Sequence, residues 1–468
     1  MKKESKHLIV LCAIVLCACT ANSQESIGVT IDNYTPVNGM FSNPSAIVDQ
    51  KPWLDIHIAG ANAHASNNFV YVPLSRVYDV ANYSLTTFDL TKDRAWAQVK
   101  AEAVGPSASL SLGRHAVALH TKVRAYGNAQ NVPIDHARSF LDGIETLQDS
   151  SVFSVNNTRV KTMTWGEVGL TYGRILYQFD KHFVTGAITL NRLLGLQGAS
   201  MFIDEGSLLV NNGTATLLSG NGKYMYAKPA FTAGGGWSGA LGFTYKHMIS
   251  DATGYVPHSE SADCGTLPYK WKVMASVVDI GGIKFKRDAL YNKFDTTEDF
   301  NGFINAATSG GAGLNELPQD KNTFYAWTPA SLNVQADYSF ENGVFLNAYL
   351  VQRLTLPSSN GPEKSNVLAL TPRYERKRFM VALPVSLENY RTPSVGLALR
   401  VAGVTVGTDN LVPFTLKRDM YKANVYAHVR FKINTAPGCR SRGNREGKTR
   451  GFAGSPKNKK GADSCPSW

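Results

Sequence analysis

The sequence predicts an all-β protein, a single antiparallel transmembrane β-barrel of about 14 strands (range roughly 12 to 16) with a short N-terminal lead-in or plug. Three observations carry that expectation. The chain opens with an export leader, its segments alternate apolar and polar residues with a period of two, and aromatic residues gather near segment ends while only 18% of residues are charged. With 43% hydrophobic residues and 41 glycines that follow no fixed period, the chain is neither disordered nor collagen-like. A membrane helix needs about 20 consecutive apolar residues, and the longest run, Leu8 to Cys19, is too short.

The leader occupies residues 1–23. Lys2, Lys3 and Lys6 precede the apolar run, as in a secretory signal peptide. Ala21-Asn22-Ser23 before Gln24 is the preferred cleavage site; Leu16-Cys17-Ala18-Cys19 is an alternative lipobox that would leave Cys19 lipidated. Beyond the leader stand Cys264, Cys439 and Cys465, an odd and scattered set that predicts neither a disulfide framework nor a zinc site.

Residues 24–53 form the lead-in. Pro36, Gly39 and Pro44 exclude a long strand there, so the segment is expected either as a hatch inside the barrel or as a periplasmic lead-in.

The barrel itself is expected over residues 54–433. Ala423 to Ile433 places Val425, Ala427, Val429, Phe431 and Ile433 on one face, and Asn424, Tyr426, His428, Arg430 and Lys432 on the other. Ser331 to Tyr338, Phe379 to Leu387 and Ser394 to Val401 alternate likewise. Further strands are expected from Leu54, Phe69, Ser107, Ala116, Trp165, Val184, Trp237, Lys272 and Ile283, with Gly113-Arg114 and Glu341-Asn342-Gly343 as tight turns. Trp53, Trp165, Tyr172, Phe183, Tyr338, Tyr374, Phe379 and Tyr421 are read as girdle aromatics. Pro133–Met163, Ser200–Lys228 and Lys286–Phe324 read as longer connections, with a helical piece around Phe140 and another over Thr296 to Ala307. Because hydrocarbon cannot satisfy the N–H and C=O groups of an open edge, such a sheet must close.

Residues 434–468 are a basic low-complexity tail carrying a net +6 of the chain's +12; the leader carries +2, which leaves +4 for residues 24–433. The tail is either genuine or the product of a frameshift. With the excess confined to the two ends, the charge gives no case for nucleic acid.

The sequence holds no HExxH, GxSxG, CxxC or Walker pattern, and no histidines at metal-ligand spacing, so it predicts no enzyme, no cofactor and no metal site. His115 and His120 read as solvated. If the apolar faces meet lipid, Arg373, Arg400, His428, Arg430 and Lys432 line the lumen. There they would either hold an anionic ligand such as a carboxylate or pair internally with groups such as Asp337 and Glu375.

Asn43-Pro44-Ser45-Ala46 resembles the Asn-Pro-Ala plug element of FadL-type hydrocarbon-transporter barrels. Trp165 to Leu170, Val277 to Gly281, Thr371 to Glu375, Val395 to Leu411 and the final strand resemble an uncharacterised outer-membrane barrel family of Bacteroidota, over roughly Ile27 to Ile433. The resemblance implies an outer-membrane location in contact with membrane lipid, Asn43 and Pro44 as a plug motif, and passive uptake of small hydrophobic molecules. The other function it admits is a non-transporting accessory barrel that docks envelope partners, such as secretion or gliding machinery or peptidoglycan.

Overall fold

Period-two alternation becomes a closed wall in the computed structural model, which describes residues 26–73, 87–142, 151–211, 214–294, 322–356, 360–411, 413 and 419–439. The expected leader, the Thr296–Ala307 helix and the tail beyond Cys439 lie outside the described residues.

The wall has 14 strands. They are β1 (Leu54–Asn67), β2 (Arg94–Val104 with Ser107–Leu112), β3 (His115–Pro133), β4 (Ser151–Phe179), β5 (His182–Asn211), β6 (Thr214–Ala227 with Gly234–Met248) and β7 (Tyr269–Phe285 with Ala289–Phe294). The second half comprises β8 (Phe324–Trp327 with Ser331–Ser339), β9 (Val344–Arg353), β10 (Val367–Glu375), β11 (Phe379–Ala382 with Val385–Glu388), β12 (Thr392–Val395 with Leu397–Val401), β13 (Val404–Thr408) and β14 (Lys422–Ile433). Each pairs antiparallel with its sequence neighbours. β14 returns to β1 from Leu54↔Ile433 to Ser66↔Lys422, and this pairing removes both edges. Four of the two-part strands break at Pro106, Pro229, Pro329 and Pro384, where proline has no N–H to give to the ladder.

Both ends of the wall, Leu54 and Ile433, lie on one rim together with tight turns such as Gly113-Arg114 and Asp180-Lys181. Most of the longer connections lie on the other rim; the one over residues 249–268 lies on the rim of the chain ends. Outward residues are apolar and exposed, as at Leu170, Ile188 and Leu190; inward ones are polar and buried, as at Asn333, Gln335 and Asp337.

Several expectations are corrected. The segment from Phe69 is no strand: the Asn67 side chain accepts from the backbone N–H of Phe69 and Val70, ending β1, and the next strand starts at Arg94. Residues 151–163 and most of Ser200–Lys228 are strand, because the β4–β7 part of the sheet continues past the apolar band. Register shifts at Ile203/Glu205 and Ser207/Leu208 interrupt the alternation there. The helical piece is Ile134–Asp142. Trp165 and Phe183 are fully buried and inward-facing rather than girdle residues, since their alternation phase is that of the lumen. His120 is buried, 3.7 Å from Glu167, while His115 is exposed. Cys264 and Cys439 form a disulfide, tying the connection after β6 to the chain beyond β14; barrel closure brings together what sequence distance separates.

Candidate functional site

Residues 26–52 lie in the lumen at the rim that carries the chain ends, held by wall strands on every side. Pro36 opens a helical turn, Pro36–Gly39, and Asn43 caps a second, Pro44–Ile47, with its Oδ1 accepting from the Ser45 N–H at 2.9 Å. The same Asn43 side chain donates through Nδ2 to the Phe243 carbonyl on β6 at 3.0 Å, and Ser45 Oγ lies 2.6 Å from Thr244 Oγ1. Ser42 accepts through its carbonyl from Ser276 Oγ (2.6 Å) and Asn333 Nδ2 (2.9 Å). Asp49 receives Lys246 at 2.6 Å and the Tyr255 hydroxyl, and burial beside that carboxylate pushes the phenol well above its ordinary range. Apolar side chains complete the seat. Val29 packs on Met380, Ala398 and Tyr426, Ile27 and Ile31 on Tyr349 and Val351, and Met40 and Val48 on Ala116, Ile175 and Phe183.

The wall makes room for this segment. A methyl on the inward-facing Gly242 would stand 2.1 Å from Asn43 Oδ1 and 2.9 Å from Pro44, and one on Gly173 would stand 2.5 Å from Val48. Between segment and wall lies a cleft of about 50 Å³ beside Lys51, Lys246 and Lys272, enough for water only.

The lumenal cations foreseen from the sequence are engaged around this seat. Arg373 makes a bidentate pair with Asp337 (2.6 and 2.9 Å) and a further bond to Glu375 at 2.9 Å. Arg400 binds Asp32 of the segment and the carbonyls of Arg376 and Lys377. His428 lies 3.1 Å from His57 and 3.3 Å from Asn38; Arg430 donates to Asn38 Oδ1 at 2.6 Å and is 3.7 Å from Asp55. Lys432 is half-buried at the rim, donates to the Lys377 carbonyl at 2.9 Å and, with Arg400, faces the Tyr34 ring.

Sequence reasoning missed a second network across the mid-lumen. Arg124 on β3 forms a bidentate pair with Asp279 on β7 (3.0 and 3.1 Å) and reaches Glu102 on β2 at 3.0 Å; Lys122 is 2.9 Å from Glu167 on β4. Asp279 adopts φ +60° at a bulge in β7, which turns its carboxylate inward out of phase with its strand. Acids inside apolar strands were the available signal.

Beyond this network the chain at Asn360–Ser365 crosses into the lumen. Glu363 accepts from Lys161 (2.7 Å) and Arg353 (3.1 Å), its carbonyl accepts from Gln98 and Asn128, and Lys364 lies 3.1 Å from Asp279. Alongside it, Trp165, Leu193, Phe202, Met225, Ile283 and Phe285 form a buried apolar cluster. From rim to rim the lumen therefore reads as a seated segment, a charged waist, and an apolar wall beneath an inward strap.

Among solved structures the chain is similar to the deltaS2S3 mutant of the monoaromatic hydrocarbon channel TodX, at 11% identity and a TM-score of 0.44, covering 86% of this chain and 95% of that one. It is also similar to the toluene transporter TbuX of Ralstonia pickettii (10%, TM-score 0.38, 85% and 93% covered). A FadL homologue of Pseudomonas aeruginosa is a third (11%, TM-score 0.40, 87% and 96%). No curated protein matches the chain in sequence. A family model does match, over residues 44–409, and the chain belongs to that family, described as a family of unknown function, DUF5723.

Proposed function

We propose that the protein sits in the bacterial outer membrane and passes small hydrophobic molecules inward without a cofactor, through a lumen that residues 26–52 keep closed at rest. The observation that carries this reading is the apolar cluster of Trp165, Leu193, Phe202, Met225, Ile283 and Phe285, which faces the lumen although a water-filled pore has no use for such a surface. The Asn43-Pro44 element acts as the plug motif in this scheme, seated by contacts that displacement would break one at a time. Arg373, Arg400, His428, Arg430 and Lys432 serve first to hold that seat; on release a carboxylate on the solute takes the place of the segment's acceptors Asp32 and Asn38.

Flux of hydrophobic probes into liposomes tests the proposal. Uptake should exceed that of empty vesicles and rise when residues 26–50 are deleted; no flux of any probe in either form would refute it. A second reading, an accessory barrel for envelope partners, draws on the length of β4 and β5, at 29 and 30 residues, against the roughly 9–11 that cross a membrane. A stoichiometric partner copurifying from native membranes, without flux, would favour it.

A further inference from the structure

The outer wall carries a charged cleft where its apolar band ends. On β5 the outward residues Ile188 and Leu190 are exposed, and the next outward position is Arg192. From His182 to Arg192 the strand rises about 25 Å at about 3.3 Å per residue and a tilt of about 40°, the height of a barrel's hydrocarbon band. Arg192 therefore stands at the band's edge on the side away from the chain ends, with the rest of β5 continuing beyond it. It lies level with Trp237, whose ring is 5.1 Å from the guanidinium carbon.

Part of the cleft floor is glycine. Gly234-Gly235-Gly236 opens the second part of β6, with Gly235 paired to Leu194 on one side and Lys284 on the other. A methyl on Gly235 would lie 3.3 Å from the Arg192 guanidinium. The breaks in β6 and β7 stand side by side here, and the N–H groups of Lys286 and Arg287 both donate to the Ala233 carbonyl, at 3.1 and 3.2 Å. That fixes two more cations beside Lys284. The result is a cleft of about 360 Å³ lined by Arg192, Lys284, Lys286 and Arg287, with Leu194, Thr232 and Ala233 beside the glycines. Among the described residues its sole acidic contact is Asp288, 3.9 Å from Arg287 and itself half-exposed. Nothing in the lumenal networks uses these four residues.

Four exposed cations lining one cleft at the edge of a hydrocarbon layer give it a positive potential that favours an anion there. Cations that merely reach for water need no shared glycine floor. We propose that this cleft binds the phosphate of a net-anionic membrane lipid in the leaflet on this side. The phosphate rests over Gly235 between Arg192 and Lys284, while the acyl chains lie on Ile188, Leu190, Leu241 and Ile280. Trp237 and Phe231, the latter 79% exposed, flank the headgroup. The inference requires the barrel to span a membrane and is independent of whether it transports anything.

The test uses the full-length protein in nanodiscs of phosphatidylcholine doped with phosphatidic acid, followed by native mass spectrometry of retained lipid. The wild type should retain phosphatidic acid about 10-fold over phosphatidylcholine. The R192A/K284A/K286A variant, and separately Gly235→Leu, which fills the floor but keeps every charge, should lose that preference while the heat-modifiable folded band persists. An equal preference in wild type and variants, no preference in the wild type, or displacement of the lipid by millimolar inorganic phosphate would overturn the proposal. Failure of the wild type to insert into nanodiscs would overturn the membrane reading as well, which separates the two.

Discussion

Arg400 and Asp32, 368 residues apart in the chain, form a fully buried ion pair that fastens the N-terminal segment to β12. Arg400 also donates to two carbonyls at the nearby turn, so the pair is satisfied beyond its Coulomb attraction. Removing one member leaves the other charge buried without its partner. Arg400→Met is expected to cost about 3–5 kcal/mol of segment seating, visible as faster protease cleavage within residues 26–52 and as added conductance in planar bilayers. The double variant with Asp32→Leu should recover part of that loss, and unchanged proteolysis in Arg400→Met would show that the pair does not hold the segment.

Gly242→Ala attacks the same seat without touching a charge. Its methyl would stand 2.1 Å from Asn43 Oδ1, against a cap bonded to both Ser45 and the wall. Overpacking of this kind costs about 1–3 kcal/mol. Release of the segment should raise its proteolysis while the strands, read by circular dichroism, are unaffected.

The disulfide between Cys264 and Cys439 closes a separation of 175 residues. Chain-entropy reasoning caps its contribution at about 5 kcal/mol, and less is expected because β14 is already clamped to β1. Reduction, Cys264→Ser and Cys439→Ser should each lower the thermal midpoint by the same amount, and the double variant by no more. Effects that add would mean the two thiols act separately.

His258, in the connection after β6, lies 3.0 Å from the Gln50 carbonyl, and burial holds its imidazole below the ordinary histidine range. The unfolded chain therefore binds this proton more readily than the folded one. The contribution of neutral His258 is complete above the ordinary value of about 6.5 and declines as the pH falls through and below it. The thermal midpoint of the wild type should drop by more between pH 7.5 and 5 than that of His258→Gln; parallel curves would assign the pH dependence to other groups.

The wall was largely legible before folding. Ala423–Ile433 and Ser331–Tyr338 announce both their faces, and that phase places Arg373, Arg400, His428 and Arg430 inward. The same rule failed at Asp279, where a bulge reverses the phase, and over Ser200–Ala227, where register shifts interrupt the ladder. It also misplaced Trp165 and Phe183, since an aromatic residue belongs equally to a girdle and to a buried inner cluster, here the mid-lumen one for Trp165 and the segment's seat for Phe183.

Strand, turn and facing are local properties, set by residues two to four positions apart, and these the chain states on its own. Partner choice is not local. Whether Arg400 meets Asp32 or a ligand, whether Cys264 finds Cys439, and whether Gly235 floors a cleft between Arg192 and Lys284 depend on closure and register, which bring distant positions within a few ångströms. The 41 glycines noted as a composition acquire meaning in the same way, because the space that a missing side chain leaves belongs to whatever the fold puts there.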